Sequence, residues 1–250
     1  MILEFNSSKD LPVRHIIPNG ESDLRVEVAD GVNVVLVEAF AEDPAQSINY
    51  SHHLIAGKNS EVLVVTIQNL NAESTYSETR TSEIHESAKV RWLNIQLGAK
   101  LAQGTMHHHV VGSQAQADMD LICKADDQRS IQFTLTNRFT APHSAGQMIA
   151  KGAASGSAKL GMHGCIQIDQ SASGTDGYLR QDTLLLSEKA SASAMPSLKI
   201  DTNDVKAAHS ASVANVDESA LFYMASRGLP KDDARQLLVQ GFKRITWAFG

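Results

Sequence analysis

Short segments in which apolar and polar residues alternate recur along this chain, each with the two-residue side-chain period of a strand that buries one face. They include Leu24, Val26 and Val28; Val32, Val34 and Leu36; Val62, Val64 and Ile67; and Val90 and Trp92. Further along come Met119, Leu121 and Cys123; Ile131, Phe133 and Leu135; Leu160 and Met162; and Ile166 and Ile168. Several open on a similar small-polar-apolar step at imperfect intervals of about 14 or 28 residues, as at Ser60, Ala88, Ala115, Gln128 and Ser157. Narrow strands with small residues suit coils stacked on one another, each burying a thin slice of core against its neighbours. A sandwich or jelly roll also yields many short alternating strands, and periodicity does not separate the two.

The chain has 250 residues, 42% apolar and 20% charged, enough for one elongated domain or a domain with a small appendage. Aromatic residues make up only 5%, too few to fill a thick core. A formal charge of -6 and an isoelectric point near 5.9 argue against binding nucleic acid through its phosphates. The start lacks a basic, then apolar, secretory pattern, and no window approaches the length of a membrane helix, so a cytoplasmic protein without membrane contact is expected. Cys123 and Cys165 are the only cysteines, without the spacing of a zinc or self-sufficient cluster site. Phosphate-loop, serine-elbow and zincin motifs are absent, so no enzyme is expected. Asp118 and Asp120 are the carboxylates a solenoid acting on polysaccharide would need, but they lack an obvious partner.

The last quarter carries the densest signal. From Pro196 through Leu198, Ile200 and Val205 to His209 the residues alternate as in a strand that ends at the histidine. Asp217 then suits a helix N-cap, Ala220, Leu221, Met224 and Ala225 share one face, and Gly228 suits a helix end. Pro230 suits the first position of a second helix, along which Ala234, Leu237, Leu238, Gly241 and Phe242 recur at helical spacing.

This block resembles the carboxy-terminal signature of the SufB and SufD family, scaffold subunits of the SUF iron-sulfur cluster assembly machinery. The family pattern P-x-L-x-I-x-A-D-D-V-K-C-S-H-G-A-T is matched by Pro196, Leu198, Ile200, Asp204, Val205, Lys206 and His209. The pattern L-D-E-x-x-L-F-Y-L-x-S-R-G is matched by Asp217, Glu218, Leu221, Phe222, Tyr223, Ser226, Arg227 and Gly228. Leu184 to Ala190 echo N-L-L-L-S-x-x-A more loosely. The resemblance implies a right-handed parallel β-helix core capped by a small α-helical domain, which tips the balance from sandwich to solenoid. It divides the chain into an N-terminal segment (1–23), a β-helix core (24–214) and a helical domain (215–250).

It also implies roles. His209 stands at the histidine that faces the partner subunit, where the nascent cluster forms; otherwise it is a hydrogen-bonded structural residue. Phe222, Tyr223, Arg227 and Phe242 are the expected contacts for a SufC-type ABC ATPase, aromatic and arginine side chains being strong interface anchors. The other expected partner is a SufB-like paralogue or a second copy of the chain, with no tightly bound cofactor and only transient iron or an iron-sulfur cluster at the subunit interface. From the residues themselves, His107 and His109, which share a strand face opposite His108, are candidate metal ligands or part of a solvated polar strand, and Cys165 is a further candidate ligand if Ile166 and Ile168 point inward, or else a small apolar filler. Gln181 occupies the position of an essential strand cysteine in SufB-type subunits, and Ala207 and Ser210 replace a cysteine and a glycine beside the histidine, as in a SufD-like chain with a weaker claim to ligate a cluster itself. Most members also carry an amino-terminal helical region, so a minimal form or a piece of a longer protein is expected. A metal-binding or architectural solenoid homodimer is the alternative.

Overall fold

In the computed structural model, residues 1–8, 12–17, 20–40, 47–230, 233–234, 237 and 241–242 are described. They form sixteen strands: β1 (Ile2–Phe5), β2 (Val13–Ile17), β3 (Gly20–Val28), β4 (Asn33–Phe40), β5 (Ser47–Ala56), β6 (Glu61–Gln68), β7 (Thr75–Ile84) and β8 (Lys89–Gln96). The series continues with β9 (Leu101–Val110), β10 (Gln116–Ala125), β11 (Ser130–Phe139), β12 (Ala145–Ala154), β13 (Lys159–Ile168), β14 (Thr175–Leu185), β15 (Ser191–Ile200) and β16 (Val205–Asn215). Odd-numbered strands stack in one parallel sheet and even-numbered strands in the other. The result is a parallel β-solenoid of about seven turns. Such stacking excludes the sandwich, whose strands pair antiparallel.

One coil takes about 28 residues, as the register pairs Val34 with Val62 and Val62 with Val90. The recurring step in the sequence marks the corner that precedes a strand. There a left-handed residue turns the chain, at Gly31, Asn59, Ser87, Gln114, His143 and Gly174 among others. These corners stack too: Gly31 N donates to Lys58 O, Asn59 N to Glu86 O, and His143 N to Ser173 O. Gly174 is needed twice over, by its positive φ and because a Cβ there would lie 2.4 Å from His143 Nδ1.

Residues 1–23, set apart in the sequence, contribute β1, β2 and the start of β3 to the same two sheets. The segment read as one strand ending at His209 is two. β15 and β16 belong to opposite sheets, and His209 lies midway along β16, because the turn at 201–204 comes where a coil must change face.

The interior is mostly aliphatic, with a polar section that alternation of apolar residues could not reveal. Glu38, Tyr50, His52, Thr66, Tyr76, Glu78, Arg80 and Asn94 all point inward and are buried. Arg80 Nη1 lies 2.7 Å from Glu38 Oε2 and Nε lies 2.6 Å from Glu78 Oε2. Tyr50 and Thr66 donate to Glu38, while Tyr76 and Asn94 donate to Glu78. Burial alone would raise the Glu38 carboxyl, but the charges of Arg80 and His52 outweigh it and hold the group well below the usual carboxylate range.

After β16 the helix α1 (Glu218–Ser226) is capped by Asp217, whose side chain accepts from Ser219 N at 2.9 Å. Gly228, at φ +89°, ends it. Most of the expected second helix lies outside the described residues. Residues 233–234, 237 and 241–242 have helical backbone, and Ala234 N donates to Pro230 O.

Candidate functional site

The solenoid ends in an open mouth. β16 closes one sheet and β15 the other, so each has a free edge, and no described strand lies beyond them. On the inner face of β16, His209, Ala211 and Val213 pair in register with Leu179, Gln181 and Thr183 of β14. The β14 residues are buried by the strand above, whereas the β16 residues, lacking a further coil, are exposed. His209 is thus a core-facing residue left bare by the end of the stack. On the facing sheet Pro196 and Leu198 of β15 stack on Gly164 and Ile166. Exposed Met195, Ile200 and Val213 add apolar surface to this last coil.

The triple histidine lies far from the mouth and splits as strand alternation requires. His107 and His109 face outward from β9 with ring centroids 6.4 Å apart, and His108 points into the core. Nε2 of His108 donates to Asp118 O, and its Nδ1 accepts from Ser82 Oγ. Burial drives His108 down to about 3. His107 is also lowered, by burial first and then by His109 and Arg138. Cys165 faces outward from β13, but Thr136 of β11 stands between it and His107 in the register. Two strand spacings, roughly 9–10 Å, separate them. The three proposed metal ligands are therefore not gathered, and among the described residues no group of three His, Cys, Asp or Glu side chains could hold a metal ion. Cys123 is buried.

Asp118 and Asp120 have structural duties. Asp118 accepts from Gln147 N at 3.0 Å and from Gln116 Nε2 at 2.8 Å, where the β10–β12 ladder skips Ala117 and Asp118. Asp120 pairs with Arg91. Both are nearly inaccessible, and burial raises both carboxyls despite those partners. His163 borders an outward hollow of about 400 Å³ with Gln103, Thr105, Gln132 and Thr134.

On α1, Leu221 is buried while Phe222 and Tyr223 are 76% and 60% exposed. The Arg227 guanidinium lies 5.4 Å from the Tyr223 ring centroid, so the two form one exposed unit. Phe242 is half-buried: Lys151 Nζ donates to its carbonyl oxygen and lies 5.8 Å from its ring centroid. The aromatic docking candidates thus present two residues to solvent and one to the solenoid.

The family model for "SUF system FeS cluster assembly, SufBD core domain" matches residues 19–242. The chain belongs to the SufBD family. It is 27% identical over 249 residues to the iron-sulfur cluster assembly protein SufD of Bacillus subtilis, covering 95% of this chain and 56% of that protein. It is 25% identical over 229 residues to a SufBD family iron-sulfur cluster assembly protein of Staphylococcus epidermidis, covering 89% and 49%. A SufBD family protein of Mycobacterium bovis matches over 189 residues at 25% identity, covering 76% and 22%. The chain therefore spans about half or less of these relatives. Within the described residues, no helix is long and apolar enough to cross a membrane.

Proposed function

We infer that the chain is a non-catalytic, SufD-like scaffold subunit of a SUF-type iron-sulfur cluster assembly complex in the cytoplasm. Its last coil pairs with a SufB-like subunit or a second copy of itself, and its C-terminal helical domain, from about residue 215, docks a SufC-type ATPase. The nascent cluster is cargo, formed at the paired interface beside His209. The observation that carries this reading is the uncovered inner face of β16. An eleven-residue free edge with His209, Ala211 and Val213 exposed on what is elsewhere the core face is built to be covered by another chain.

The residues divide the work. His209 offers an imidazole that can hold iron or move a proton, while Gln181, one strand below, brings no thiolate, so sulfur ligands come from the partner. Phe222, Tyr223 and Arg227 form the exposed anchor for the ATPase. Coupling ATP binding to the mouth requires the ATPase dimer to bind one scaffold conformation better than another. The test is co-purification with the SufC-type ATPase and the SufB-like subunit of the same source, scored by size-exclusion chromatography. Phe222→Asp should abolish the ATPase peak alone, and Val213→Asp the scaffold pair alone. A wild-type chain that binds neither partner refutes the reading.

A further inference from the structure

We propose that residues 243–250 strap the C-terminal helical domain across the outer face of the even-numbered sheet, seating Ile245, Trp247 and Phe249 on a bed of aliphatic side chains carried by β4, β6 and β8. The bed stands on the geometry of the solenoid. Its use, as a brace for the element that docks the ATPase, rests on the function proposed above.

β4 and β6 are apolar on both faces. Val34, Val35, Leu36 and Val37 form one unbroken run and Val62 to Val65 another, the pattern of parallel strands that are covered on both sides. In register, Val37, Val65 and Leu93 make one outward row, and Ala39, Ile67, Ile95 and Ile122 make the next. The other sheet is unlike this: the outward residues of β5 and β7 include Asn49, Ser51, Ser77 and Thr79, as a solvated face requires. Part of the bed is already covered. Ile67 is 40% exposed, as an outward side chain on a bare sheet should be, whereas the outward Leu93 is 8% exposed and Asp120, next to it in the row, 1%.

Continuity names the occupant. The second row runs on from Ile122 to Lys151 of β12, and Lys151 holds the end of the helical domain: its Nζ donates to Phe242 O at 3.1 Å and lies 5.8 Å from the Phe242 ring centroid. Eight further residues follow Phe242 in the sequence, with three large apolar side chains at alternate positions 245, 247 and 249. Ile67 lies three strand spacings from Lys151, about 14 Å, and eight residues reach up to roughly 26 Å when extended. A second copy of the chain fits less well. Two short rows of aliphatic side chains, most of them half-buried by their neighbours, offer a fraction of the roughly 800 Å² per partner that a stable association covers. Strapped in this way, the domain that carries Phe222 and Tyr223 is tied to the early coils, so a pull on α1 acts on the body of the solenoid.

The test uses the full chain alone and the fluorescence of Trp247, taken as the difference between wild type and Trp247→Phe. Trp92, the other tryptophan, is 1% exposed in the core and common to both proteins. The Trp247 emission should be blue-shifted from that of the urea-unfolded chain, shielded from acrylamide and unchanged on dilution. Val65→Asp, which sets a charge in the bed, should shift that emission to the red and open it to acrylamide while the strand circular dichroism persists. Should Val65→Asp not fold, Ile67→Asp, at an exposed position, carries the same expectation. A Trp247 as open to acrylamide in the folded wild type as in urea, an emission unmoved by a folded charge variant, or a blue shift that fades on dilution would overturn the strap, the last by handing the bed to a second copy. No ATPase or second scaffold is present, so failure here leaves the scaffold reading standing, and failure to bind those partners leaves the strap standing.

Discussion

The buried imidazole of His108 should make the solenoid lose stability in mild acid. The ring is 0% exposed, lies 4.0 Å from the Trp92 ring centroid, and is held neutral by one accepted and one donated hydrogen bond. Burial brings the folded value down to about 3 from an ordinary 6.5. As the pH drops below 6.5 the unfolded chain therefore takes up a proton that the folded chain refuses, and stability falls until about pH 3. Between pH 7 and pH 5 the loss from this one residue is about 2 kcal/mol. With a urea dependence of about 3 kcal/mol per molar, the unfolding midpoint falls by about 0.6 M. His108→Gln keeps a donor and an acceptor at the site without a titrating group. The variant should start less stable at pH 7 but lose about 2 kcal/mol less than wild type on going to pH 5. Equal losses in both proteins would refute the assignment of the acid sensitivity to His108.

Other substitutions probe the remaining features. Arg80→Met leaves Glu38 and Glu78 facing each other in the core without their shared cation, and thermal or chemical unfolding should show a loss of about 3–5 kcal/mol. Gly112→Ala would push a Cβ to 1.9 Å from the backbone nitrogen of Glu86, which cannot move without breaking the corner stack, so a loss of about 3 kcal/mol or a failure to express as a folded protein is expected. Phe222→Asp, at a 76% exposed position, should change unfolding free energy by no more than about 0.5 kcal/mol while removing ATPase association in size-exclusion chromatography. His209→Ala should also leave folding intact but lower cluster formation by the reconstituted complex, read from its visible absorption; full maturation would clear His209 of a role.

Where inward rows are aliphatic the strands were legible, and where they are not the alternation failed. The inward row of β7 reads Tyr76, Glu78, Arg80, Ser82 and Ile84, and that of β12 reads Gly146, Met148, Ala150, Gly152 and Ala154. A hydropathy period sees neither. The signal that finds them is spacing: once Ser60, Ala88 and Ala115 are recognised as successive corners about 28 residues apart, a second strand is required half a coil from each. The helix start at Asp217 followed from local chemistry, whereas alternation left Cys165 either outward or a buried filler, and the fold leaves it partly exposed. The placement of His209 did not, because whether an inner-face residue is buried depends on a further coil, and no local pattern tells the chain that its stack has ended.

That dependence sets the two ends of one repeat apart. In the early coils a polar interior is affordable because strands above and below close it, so Arg80 and its two carboxylates satisfy one another. In the last coil the same inward geometry acts on residues that nothing described covers, and an inner-face imidazole becomes an exposed side chain without any change in backbone. Small side chains follow the same logic: Ala207, Ala211 and Val213 on β16 would fill a closed coil poorly, yet they let another chain's backbone approach the free edge. If this is right, adding apolar bulk on the inner face, as in Ala211→Leu, should leave the isolated chain about as stable as wild type, since position 211 is exposed there, but weaken pairing by at least about tenfold. Sedimentation equilibrium would decide it, and unchanged pairing would mean that the mouth is not the surface through which scaffold subunits meet.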